Sequence, residues 1–238
     1  MKNRSQTARQ AGLLWFLSVL TGGFGLSYIR SSVIVAGDAA ATSHNVMAAE
    51  SLFRAAIVGN LFSQVFMLFF AMTLFRLFKE VDKTTATVLL ASAMMSVAIA
   101  VVKELNSFAA LLVLSPLDYL NAFTPEQREA MAMLLLKLSN SVGQGLLEIF
   151  WTPFYVAFGL LIAKSRYLPR ILGALLMIMG SGYALNVLSK FLIPQFHPAM
   201  FTELAMSLGA LGGIPTVFWL LIKGAHVGSS DDRVAASG

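Results

Sequence analysis

The stretch MAMLLLKLSNSVGQGLLEIFWTPFYVAFGLLIA, residues 131–163, decides how this chain is to be read. Its second half, 145–163, is an almost unbroken apolar run near the ~20 residues that a helix needs to cross a hydrocarbon layer of ~30 Å. Within the stretch, Lys137, Asn140, Gln144 and Glu148 recur three or four residues apart, the spacing of one helix face. An ionisable group costs at least about 2.5 kcal/mol at the centre of a spanning helix, so it is kept where a partner or a wet cavity receives it. The stretch predicts a membrane helix with a polar stripe, and the stripe is the first place to look for function.

Working outward, similar runs occupy residues 11–28, 55–75, 84–102, 168–192 and 205–222. The 238 residues are 57% hydrophobic and 12% charged, against roughly 25% charged in an ordinary soluble domain, and the mean hydropathy is +0.75. The expected fold is all-α, an integral membrane bundle of six transmembrane helices in one domain, 11–223. Residues 1–10 read as a cytoplasmic N-terminal segment and 224–238 as a flexible cytoplasmic tail, which leaves no segment for a soluble catalytic domain.

A formal net charge of +5 raises the question of nucleic acid, but the cations sit at span ends and not in one patch interleaved with aromatics. Lys2, Arg4 and Arg9 precede the first run, Arg76, Lys79 and Lys83 follow the second, Lys164, Arg166 and Arg170 join the fourth to the fifth, and Lys223 follows the sixth. All four sets fall on one side. The other side holds Arg30, Arg54, Arg128 and Lys190, so the positive-inside rule places both termini in the cytoplasm of a cell bounded by this inner or plasma membrane. Basic residues before the first run, with small Ala36 and Gly37 after it, imitate a signal peptide, yet its removal would leave an odd number of spans. The absence of cysteine excludes disulfides, thiolate nucleophiles and Cys-based metal sites.

Local signals set the boundaries. Gly22, Gly23 and Gly25 beside Thr21 and Ser27 predict close helix packing. Asp38 reads as the N-cap of a short outer helix, and Glu50 with Arg54 as an i,i+4 ion pair. The third span is expected to continue through Lys103, Glu104 and Asn106 to Leu114 and to break at Ser115-Pro116. Thr124 then caps a long helix with Pro125 at its first position, which projects beyond the membrane or bends at Pro153. Met94, Met95, Met177 and Met179 are expected to fill gaps between helices.

Several quoted segments together resemble one family. They are Ala8-Arg9-Gln10-Ala11-Gly12-Leu13-Leu14, Arg30-Ser31-Ser32-Val33-Ile34-Val35 with Gly37-Asp38-Ala39-Ala40-Ala41-Thr42, Glu50-Ser51-Leu52-Phe53-Arg54, Glu148-Ile149-Phe150-Trp151, Tyr167-Leu168-Pro169-Arg170-Ile171-Leu172-Gly173 and Gly182-Tyr183. The chain is similar in these, from Ala8 to Lys223, to the domain of unknown function 4386 family of multi-pass membrane proteins. The resemblance implies a compact six-helix membrane domain and no agreed activity, so it carries over no catalytic residues.

Counting inward at 1.5 Å per residue from the cytoplasmic ends puts Gln64 about 18 Å deep, Asn60 and Glu148 about 24 Å, and Lys103, Gln144 and Asn186 about 26 to 30 Å. These residues predict an outward-open polar cavity above an apolar inner plug. Glu148 would set its charge, Lys103 would be its partner, and Gln144, Gln64, Asn60, Asn140 and Asn186 would orient a ligand. Glu104, Lys137, Arg54, Glu203 and Lys190 would stand at the rim, the first two reaching the headgroups. Trp15, Trp151 and Trp219 with Tyr155 and Tyr183 fit packing or interface anchoring better than a cation cage.

The three histidines, His44, His197 and His226, show no metal-ligand spacing, and no phosphate loop or nucleophile elbow occurs, so neither metal nor cofactor is expected. The leading expectation is a carrier, receptor or accessory subunit that binds a small amphiphilic molecule, with the lipid bilayer as its other partner. Its rivals are an intramembrane enzyme acting on a lipid or isoprenoid headgroup through Glu148 and Lys103, and a structural scaffold. Alternating access lacks the expected inverted repeat.

Overall fold

The computed structural model describes residues 2–193 and 199–225, without the side chains of 2–3, 24–32, 144, 199–206 and 208–209. Among the described residues every regular element is helical: α1 (Lys2–Ser32), α2 (Ala39–Ala48), α3 (Glu50–Phe78), α4 (Lys83–Leu114), α5 (Pro125–Ser141), α6 (Leu147–Ser165), α7 (Arg170–Leu192) and α8 (Ala199–Ile222). A 3-10 turn, Asp118–Ala122, precedes α5, and a π turn, Val142–Leu146, joins α5 to α6.

The caps form where the sequence places them. The Asp38 carboxylate accepts the Ala41 N–H at 2.8 Å and starts α2. The Thr124 hydroxyl accepts the Gln127 N–H at 3.3 Å while the Gln127 side chain accepts the Thr124 N–H at 2.9 Å, a reciprocal box with Pro125 just inside α5. Helix α4 stops at Leu114, before Ser115-Pro116, and Arg54 pairs with Glu50 at 2.8 Å.

Among the described residues four helices, α3, α4, α6 and α7, are long and apolar enough to cross a membrane. Along α3, Val58, Phe62, Val65, Phe69 and Met72 recur three or four residues apart and are 38–56% exposed. Water would penalise such a ridge, whereas lipid tails match it. Helices α1 and α8 cover the first and last apolar runs; in α8 the apolar stretch among the described residues is Ala210–Ile222. Met94 and Met95 do not fill gaps: both are about half exposed on α4, while Met179 is buried.

The chain divides into two compact units, Met1–Phe16 with Leu68–Met95 and Glu148–Gly238, and Leu17–Met67 with Ser96–Leu147. In the first, α6 and α7 meet backbone to backbone. A Cβ on Gly159 would lie 2.4 Å from the Gly173 carbonyl oxygen, and one on Gly173 would lie 2.7 Å from that of Gly159. Trp15 stacks on Phe70 with centroids 4.9 Å apart, so its reading as a packing residue holds.

Asp82 closes the same unit at the start of α4. Its carboxylate takes hydrogen bonds from Lys164, from the Thr85 N–H at 3.0 Å and from the Thr85 hydroxyl at 2.8 Å. The Lys164 ammonium first, and then Thr85, hold its carboxyl well below the usual carboxylate range. A depressed folded-state pKa gives stability that is present above the unfolded value and lost as pH falls through the folded one. Asp82→Asn should therefore lower the unfolding midpoint at neutral pH, by a margin that shrinks steadily below about pH 4. A margin independent of pH would show that the Asp82 charge adds nothing.

In the second unit, Val33, Val46, Phe53, Ile57, Ala110, Leu111, Ala132 and Leu136 form the core, and α2 packs on α5. A Cβ on Gly22 would lie 2.7 Å from Ser63 Oγ, whereas one on Gly23 would meet nothing within 4 Å. Close packing therefore falls to Gly22 alone of these two, and the side-chain surroundings of position 25 lie outside the described residues. Buried Ser18 and Ser63 hydroxyls join α1 to α3 at 2.9 Å, as Ser107 and Ser139 join α4 to α5, also at 2.9 Å.

The polar stripe of the sequence does not keep to one face. In the π turn the Leu147 N–H reaches the Val142 carbonyl five residues back, so one residue is inserted and the later register turns by about 100°. Lys137 and Asn140 are exposed, whereas Glu148 is buried. The insertion falls at Gly143 and Gly145, whose weak helix preference tolerates it. Pro153 lies inside α6.

Candidate functional site

The close crossing of α6 and α7 builds the first polar centre. Gly159 and Gly173 let the backbones touch, and Gly180, whose Cβ would lie 2.9 Å from the Thr152 carbonyl, continues the contact. Glu148 of α6 and Asn186 of α7 are thereby within reach: Asn186 Nδ2 donates to Glu148 Oε2 at 2.6 Å. They are 8% and 2% exposed. A buried carboxylate bound by an amide N–H is a charge-assisted bond, about twice as strong as a neutral one.

Aromatic rings stand one and two turns further along α6 and one turn back along α7. Trp151 and Tyr183 centroids are 5.4 Å apart, Tyr155 and Tyr183 5.9 Å, and Trp151 and Tyr155 6.4 Å. Ring faces attract cations, and a carboxylate adds a full charge of the same sense. The group can accept hydrogen bonds and bind positive charge. Among the described residues, no group of three or more His, Cys, Asp or Glu is placed to hold a metal ion.

A second centre lies on α4. Lys103 Nζ meets Glu104 Oε1 at 2.6 Å, with side chains 14% and 5% exposed. Sequence neighbours on a helix do not face each other, so both side chains must fold inward to meet. Gly143 gives the lysine room, since a Cβ there would lie 3.1 Å from Lys103 Cδ. Glu104, expected at the rim, is buried against Lys103.

The remaining expected site residues divide. Asn60 is buried beside Gly22, and Gln64 is half-buried. Asn140 and Lys137 are exposed, Lys190 is half-buried, and Arg54 is held by Glu50. The side chains of Gln144 and Glu203, with His197 and the tail beyond Ala225, lie outside the described residues. Sequence reading missed the bond between Asp82 and Lys164, the serine pairs, and the clamp of Arg128 on the end of α4, where its Nε donates to the Val113 carbonyl at 2.8 Å. None has a sequence signal beyond a polar residue near an apolar run.

Spanning helices, a lipid-compatible surface and buried polar centres define a multi-pass α-helical membrane protein. Within that class the chain belongs to the family described as Domain of unknown function (DUF4386), whose sequence model matches residues 10–224. It is also similar, at 34% identity over 76 residues, to an uncharacterized protein of Archaeoglobus fulgidus; the match covers 32% of this chain and 43% of that protein, less than half its length. No solved structure matches it.

Proposed function

We propose that the chain is a six-span protein of the inner or plasma membrane with both termini in the cytoplasm. It binds a small amphiphilic molecule at Glu148 as a carrier, receptor or accessory subunit. The topology is supported by the cations clustered at alternate span ends. Binding rests on one observation, the buried Glu148 carboxylate held by Asn186 beside Trp151, Tyr155 and Tyr183. That combination suits an amphiphile with a positive head.

The test is Glu148→Gln, whose amide oxygen can still accept the Asn186 N–H. Tetraphenylphosphonium should bind the variant about tenfold more weakly, which is ~1.4 kcal/mol, while the unfolding midpoint stays near that of the wild type. Equal affinity in a well-folded variant would remove the assignment. A scaffold reading is favoured by the internal pairing of both charged centres, and it expects altered stability with no bound cation in either protein.

A further inference from the structure

A pocket of about 320 Å³ lies in the Leu17–Met67 and Ser96–Leu147 unit, where α2 packs across the last turn of α4 and the first turn of α5. That volume falls at the lower end of the range of small-molecule sites, about 300–1,000 Å³. Met47 and Leu114 supply apolar wall, and Ser43, His44, Arg128 and Glu129 supply polar groups.

Three features of these groups point the same way. Ser43 is 6% exposed, and its Oγ is buried without a hydrogen-bond partner. An unmatched buried hydroxyl is unfavourable for the protein alone. Arg128 is fixed by bonds from Nε to the Val113 carbonyl at 2.8 Å and from Nη2 to the Ser115 carbonyl at 2.6 Å. Of its five N–H donors, the pair on Nη1 is uncommitted among the described residues. Glu129, the next residue, is half-buried and likewise in no ion pair there. Opposite charges side by side on one pocket wall, neither neutralising the other, suit a ligand that carries both signs.

We propose that this pocket binds a small zwitterion with an apolar body. Its anionic end takes the Nη1 donors of Arg128 and the Ser43 hydroxyl, its ammonium faces Glu129, and its apolar part covers Met47 and Leu114. A free α-amino acid with an apolar side chain has all three parts, and the headgroup of a phosphoethanolamine lipid shares the two charges. The site is separate from the Glu148 centre and does not rest on the reading given to it.

The test uses the full chain purified in detergent, with L-leucine and glycerophosphoethanolamine as probes at about 10 mM, where a millimolar complex is measurably stabilised. Wild type should gain in unfolding midpoint with at least one probe, leucine marking the amino-acid source and glycerophosphoethanolamine the headgroup. It should not respond to 4-methylpentanoate or 3-methylbutylamine, which each lack one charge. Glu129→Gln should lower zwitterion affinity at least about tenfold. Ser43→Ala should weaken binding while leaving the ligand-free midpoint unchanged or raised, an outcome that a purely structural serine would not give. The proposal is overturned by silence of both probes on the folded wild type, by equal binding of the single-charge analogues, or by wild-type binding in both variants.

Discussion

Replacing Gly159 by valine should destabilise the protein by about 3 kcal/mol, at the upper end of the usual effect of overpacking. The reason is the partner at that point. The Cβ would lie 2.4 Å from the Gly173 carbonyl oxygen and 2.6 Å from Met177 Cγ. Methionine can swing aside, but a helix carbonyl cannot move without α7 moving as a body. Helix association in lipid draws on close packing and polar contacts with no hydrophobic drive between helices, so separating α6 from α7 removes the main term that holds them. The same displacement would stretch the 2.6 Å bond between Asn186 and Glu148. Gly23→Ala is the control: its Cβ meets nothing within 4 Å, and helix preference alone predicts a gain of up to about 1 kcal/mol. Reversible unfolding in mixed micelles measures both. A Gly159→Val midpoint equal to the wild type would contradict the close crossing.

The features legible in the sequence are those set by chemistry within a few residues. Asp38, Thr124-Pro125 and the Glu50–Arg54 spacing each carry their partner within four positions, and all three form as read. Apolar runs located the helices for the same reason. The candidate site was harder because rotation about a helix axis is a tertiary property. The position of Glu104 along the chain gives no face, so its burial against Lys103 was not legible. Whether Gly143-Gln144-Gly145 yields an α or a π turn depends on what packs against it. Lys103 had two carboxylates within plausible reach, Glu104 and Glu148, and sequence had no means to choose between them. Asp82 and Lys164, 82 residues apart, left no local trace of their contact.

Lys103→Met should produce the other large effect, a loss of roughly 3–5 kcal/mol, because it strands a buried charge. Glu104 is 4% exposed, and its ammonium partner at 2.6 Å would be replaced by a thioether that donates no hydrogen bond. Methionine matches the length of the lysine stem that runs past Gly143, so the change tests charge more than volume. Removing both charges should behave differently. A buried ion pair replaced by apolar residues of similar size is often neutral or stabilising, so Lys103→Met with Glu104→Leu should recover most of the stability that the single change loses. The coupling energy from the full cycle, which includes Glu104→Leu alone, should then reach about 2–3 kcal/mol, the upper range for residues in contact. Additive single changes would mean that the two groups stand near each other without stabilising the fold, and would shift the explanation for their burial from the pair itself to whatever each contacts separately.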